Sequence, residues 1–93
     1  MTPEPIRHLL IVAGDGTYPA CIAVGARKAG VPRITILALR GSTARATAAL
    51  ADTCVWFGVG EVQRIFEWGA SMNFSHGIMA GGITPIALFR TRF

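Results

Sequence analysis

The sequence predicts a three-layer α/β domain built on a four-stranded parallel sheet. Three observations predict it. Short runs that are apolar on both faces recur along the chain, glycine follows each run, and stretches with helical spacing separate them. Strands covered on both sides read as continuous apolar runs, not as alternating ones. Strands that alternate with helices form right-handed β-α-β units, which place helices on the two faces of one sheet.

The first run is 9–13, Leu-Leu-Ile-Val-Ala. The second, 34–39, is rich in β-branched residues, the third is 54–57, and 77–80 is a weaker fourth. A helix is expected over 19–29, with Pro19 at its first position and Gly30 closing it. The alanine-rich stretch 43–51 is a strong local helix former. Over 61–72, Val62, Ile65, Phe66, Gly69 and Met72 recur at helical spacing and give one apolar face. A last helix is expected to begin at Pro85. These units make a Rossmann-like domain over 6–93, preceded by a loose N-terminus over 1–5. Strand order is not written in the sequence; the order expected for this class is 3-2-1-4, with the first and fourth strands adjacent.

Length and composition bound the function. A chain of 93 residues makes one domain, which buries roughly 60–65% of the surface exposed by its unfolded form. An apolar fraction of 52% against 15% charged residues excludes a disordered chain. It is also high for a freestanding small domain, so part of the apolar surface is expected to meet a partner or further chain. No stretch approaches the ~20 apolar residues of a membrane span. No signal peptide precedes the first strand, so a cytoplasmic location is expected. Cys21 and Cys54 form no metal-ligand spacing and read as small packed apolar residues. Eight of the nine basic residues are arginines, scattered and without interleaved aromatics, which excludes a nucleic-acid groove. The net charge of +4 suits an anionic ligand or an anionic membrane surface.

The chemistry is expected in the turns. They read Gly14-Asp15-Gly16-Thr17-Tyr18-Pro19, Gly41-Ser42-Thr43, Gly58-Val59-Gly60-Glu61 and Gly81-Gly82-Ile83-Thr84-Pro85. In a parallel sheet all four lie at the carboxyl edge, the usual ligand crevice. Helix N-termini there offer N–H groups to phosphate. Gly14, Asp15, Gly16, Gly81, Gly82 and Thr84 are the expected ligand contacts, because paired glycines exceed what a plain turn requires. Asp15 either binds a sugar hydroxyl or hydrated metal, or braces its own turn. Ser42 and Thr43 read as helix-cap chemistry, and Glu61 as a complement to a helix dipole. His8 and His76 read as structural.

A dinucleotide fingerprint is incomplete. Pro19 replaces the third glycine, and Arg40, not an acid, ends the second strand. Arg40 with Arg45 suits a 2′-phosphate instead, which keeps an NADP-type module as the alternative. No lysine follows a glycine turn, so this is not a Walker-type loop. The acids present do not assemble a hydrolytic site or a metal cluster.

Read together, the turns resemble the N-terminal domain of the UDP-2,3-diacylglucosamine pyrophosphatases, a lipid A pathway family. The resemblance rests on Val12-Ala13-Gly14-Asp15-Gly16-Thr17-Tyr18-Pro19, on Ala38-Leu39-Arg40-Gly41, on Ala51-Asp52 through Trp56 with Gly58-Val59-Gly60, and on Ile78-Met79-Ala80-Gly81 with Thr84-Pro85 and Leu88-Phe89. It implies hydrolysis of UDP-2,3-diacylglucosamine to lipid X and UMP by the full-length enzyme, with a divalent metal such as magnesium. It also implies a separate C-terminal domain that carries the catalytic acids. The expectation is therefore a substrate-binding domain, inactive alone, with no catalytic residue and no metal of its own. Its expected partners are the anionic lipid nucleotide, the missing domain or a second copy, and the inner membrane as a peripheral contact.

Overall fold

The structure, a computed structural model, describes residues 5–72 and 74–81. Gly82, Thr84, the helix expected from Pro85 and residues 1–4 of the N-terminus expected to be loose lie outside the described residues. The elements run β1 (His8–Ala13), α1 (Tyr18–Lys28), β2 (Arg33–Leu39), α2 (Arg45–Ala48), β3 (Thr53–Phe57), a 3₁₀ turn (Val59–Glu61), α3 (Val62–Ser71) and β4 (His76–Ala80). The four strands form one sheet in the order β3-β2-β1-β4, every pair parallel. This is the expected order, and β1 and β4 are neighbours.

The apolar runs work as the sequence suggested, because alternate residues serve opposite faces. On one face Leu9, Ile11, Ala13, Ile34, Ile36 and Ala38 pack with Ala23 of α1, and Ile22, Ala26, Leu50 and Ala51 close over them. On the other, Leu10, Leu37, Leu39 and Phe57 pack with Trp68 of α3 and with Phe74. Trp68 joins the apolar side of its helix in addition to the residues that the helical spacing marks.

Local chemistry sets the helix ends. Pro19 occupies the first turn of α1. At its end the Val31 N–H donates to the Ala26 carbonyl and the Gly30 N–H to that of Arg27, both at 3.0 Å. Gly30 has φ +91°, the left-handed conformation of this type of helix stop. The second helix is much shorter than its alanines suggest. Thr43 is drawn into the preceding turn, and Leu50 and Ala51 follow in tighter bonds to the carbonyls three residues back.

The remaining polar groups brace the core. His8 is buried, and its Nε2 shares a 2.7 Å hydrogen bond with Oγ1 of the fully buried Thr35 on β2. Ser75 Oγ accepts from the N–H groups of Arg7 and His8, which fixes the entry to β4 beside β1. Ahead of β3, Asp52 accepts from the Ile34 N–H at 2.8 Å and pairs with Arg27 at 2.6 Å. The two cysteines differ from expectation in one respect. Cys54 packs against the core, and burial pushes its thiol up, but Cys21 is exposed on α1.

Candidate functional site

The glycine turns assemble at the carboxyl edge of the sheet, and they are tied to one another in the spatial order of the strands. After β3, Glu61 Oε1 accepts from the Gly58 N–H at 2.9 Å and from Arg40 Nη1 at 2.8 Å, which joins the third turn to the end of β2. After β2, Thr43 Oγ1 accepts from the Leu39 N–H at 2.8 Å and donates to the Ala13 carbonyl at 3.0 Å, which joins the second turn to β1. After β1, the Gly14 N–H donates to the Ala80 carbonyl at 2.8 Å, which joins the first turn to β4.

The tightest junction is between the first and fourth turns. Gly81 has φ +92°, and a side-chain carbon there would overlap the Asp15 carbonyl oxygen and stand 3.0 Å from the Gly14 carbonyl carbon. Only glycine fits that place. Gly14 itself is buried, whereas Asp15 and Gly16 are exposed on the outer side of the junction. Of the expected contacts the structure therefore brings Gly14, Asp15, Gly16 and Gly81 together.

The helix that leaves the first turn begins without a side-chain cap. Thr17 is the N-cap residue of α1 but makes no side-chain capping bond, and no acid lies in the first turn. The leading amides thus receive no acceptor from the N-cap side chain, and the Asp15 carboxylate lies two residues ahead of the cap. Thr43 has the reverse outcome: expected as a cap, it is buried and spans the ends of two strands. No sequence signal marks that role, because the acceptor lies 30 residues away.

Glu61 serves its turn and not a helix dipole alone. The Gly58 N–H, then the Arg40 guanidinium, holds its carboxyl below the ordinary 4.5. Arg40 is thereby engaged by an acid, while Arg45 has no acid partner among the described residues. For a metal the donor set does not fit: among the described residues no three His, Cys, Asp or Glu side chains come together. Asp15 lies at the carboxyl edge and Asp52 at the opposite end of the strands, ahead of β3. No helix among the described residues is long and apolar enough to cross a membrane.

No curated protein and no solved structure matches the chain. The family model described as the LpxI N-terminal domain matches residues 8–93, from the first residue of β1 to the end of the sequence. Strand, glycine turn and helix in that order, with the four turns knitted at one edge, are what the matched span contains. The chain belongs to the LpxI N-terminal domain family, a family of the lipid A pathway.

Proposed function

We infer that this domain binds the substrate of a UDP-2,3-diacylglucosamine pyrophosphatase, the enzyme that yields lipid X and UMP, and is inactive alone. The carrying observation is the match of the family to residues 8–93, a span that contains the fitted pair of turns around Gly14 and Gly81. The uncapped N-terminus of α1 beside Asp15 and Gly16 supports a phosphate at that edge. Gly82 and Thr84 complete the proposed contact set. Magnesium, implied for the whole enzyme, would be held by acids outside the described residues, and no step through it is assigned to them. The lipid part of the substrate would bring the domain to the inner-membrane surface from the cytoplasmic side.

Calorimetric titration of the purified chain with UDP-2,3-diacylglucosamine tests the binding claim, with NADPH as the control. Binding of the lipid nucleotide and not of NADPH is the expected result. Binding of NADPH alone would reassign the chain to the dinucleotide class. Release of UMP by the isolated chain with magnesium would overturn its inactivity.

A further inference from the structure

Strand β3 ends the sheet, so its outer edge has no neighbouring strand among the described residues. Its sequence, Thr-Cys-Val-Trp-Phe, contains no proline and no charged residue, the usual devices that keep an open edge from pairing. Beside it lies an open groove of about 660 Å³, lined by Arg40, Arg45, Ala48, Ala49, Cys54 and Trp56. Helix α2 is a single turn, and its alanines leave Cys54 and Trp56 only half-buried. Those two residues are alternate positions of β3 and serve the same face. A strand paired along this edge would send every second side chain to that face, over the groove. The charge on the lining is positive only. Arg40 is already bound to Glu61. Arg45 is exposed, and among the described residues no carboxylate pairs with it.

We propose that the open edge of β3 takes up an extended acidic segment of another protein as a further strand, with a small apolar side chain over Cys54 and a carboxylate on Arg45. Backbone pairing supplies the attachment, and the groove selects the side chains. Charge favours this partner over two nearer occupants. Residues 82–93 of the chain carry Arg90 and Arg92 as their only charges and would bring like to like. A second copy paired on the same edge would add a second pair of arginines to the same face. Asp52, the acid that precedes β3, could not offset them, because Arg27 and the Ile34 N–H already engage it. The site does not depend on the hydrolase reading, since neither turn of the Gly14–Gly81 junction lines it.

Backbone amide NMR of the chain tests the proposal with three synthetic peptides. The first is Val-Glu-Val-Ala-Val-Glu-Val, whose alternate Glu-Ala-Glu side chains suit the groove in either strand direction. The second has lysine for both glutamates, and the third has prolines for the central Val-Ala-Val. The acidic peptide is expected to shift the amides of β3 saturably, and the other two are expected to leave them unmoved. Arg45→Glu should weaken the acidic peptide about tenfold and let the lysine peptide bind. Circular dichroism of the variant confirms that it folds. Absence of β3 shifts with the acidic peptide overturns the proposal. Equal binding of the lysine peptide removes the role of charge, and equal binding of the proline peptide removes strand pairing; either overturns it as well. Shifts confined to β4 would move the docking edge to the other side of the sheet. Shifts of β3 with protein concentration alone would make a second copy the occupant.

Discussion

Gly81 lies against the backbone of Asp15 with no room for a side-chain carbon between them. The first and fourth turns are thus a fitted pair, closed by the hydrogen bond from the Gly14 N–H to the Ala80 carbonyl. A substitution at Gly81 meets two obstacles, a positive φ and an occupied space. Gly30 meets only the first, since nothing lies within 4 Å of a carbon added there.

That contrast gives the first prediction. Gly30→Ala is expected to lower stability by about 1 kcal/mol, the usual cost of a left-handed alanine. Gly81→Ala is expected to cost about 2–3 kcal/mol, because backbone must move as well. Urea denaturation of the two variants side by side measures the difference. Equal losses would mean that the turns separate freely.

The second concerns Thr43. Thr43→Val keeps the shape but leaves the Leu39 N–H and the Ala13 carbonyl without their shared partner. A loss of about 1–3 kcal/mol is expected, the cost of stranding a buried polar group. Thr43→Ser restores the hydroxyl and should recover most of it. If valine were tolerated as well as serine, the bridge would not matter to stability.

Acid sensitivity provides the third. The Ile34 N–H, then Arg27, holds the Asp52 carboxyl below its ordinary 3.8. A carboxylate favoured by the fold contributes stability that is fully present above the unfolded value. That contribution disappears as pH falls through the lower folded value. Glu61 acts in the same sense from its ordinary 4.5 downward. The melting temperature should therefore drop between about pH 5 and pH 2. Asp52→Asn keeps an acceptor for the Ile34 N–H and should flatten the slope. A variant as acid-sensitive as the parent would show that Asp52 is not responsible.

A fourth prediction separates Arg40 from Arg45. Both are exposed, so neither alanine variant should cost more than about 1 kcal/mol in stability. Arg40→Ala removes one of the three groups that hold the Glu61 carboxyl down, beside the Gly58 N–H and Arg64, so the Glu61 pKa should rise. Arg45→Ala should leave it unchanged. Side-chain carbon shifts of Glu61 followed by NMR through an acid titration read both. Equal responses would mean that the Arg40 contact is not formed in solution.

The strands were legible because a parallel strand is apolar on both faces; 9–13 has that form throughout and 34–39 at every position but Thr35. The glycines of the turns were legible too, but Gly81 is explained by its fit against Asp15 before any ligand is invoked. What the sequence could not disclose are contacts between side chains far apart in the chain. Thr43 looks like a cap because its bond to Ala13 is invisible to local patterns. Helix α2 starts later than alanine propensity suggests because Thr43 is held in the turn, and it ends earlier where Leu50 and Ala51 bond to carbonyls three residues back. Glu61 was read against its helix, whereas its neighbour Arg40 comes from another turn.

The strand order also dictates when the sheet can be completed. Strand β1 sits in the middle, and one of its neighbours is β4, whose entry is pinned by a Ser75–His8 bond spanning 67 residues. On the ribosome β1 and β2 can pair early, but one edge of β1 waits for nearly the whole described chain to emerge. Each strand pairing here closes a long loop, which slows folding relative to hairpin-based sheets. During that wait Leu9, Leu10, Ile11 and Val12 flank an unpaired strand edge, the kind of surface that chaperones shield and other nascent chains invade.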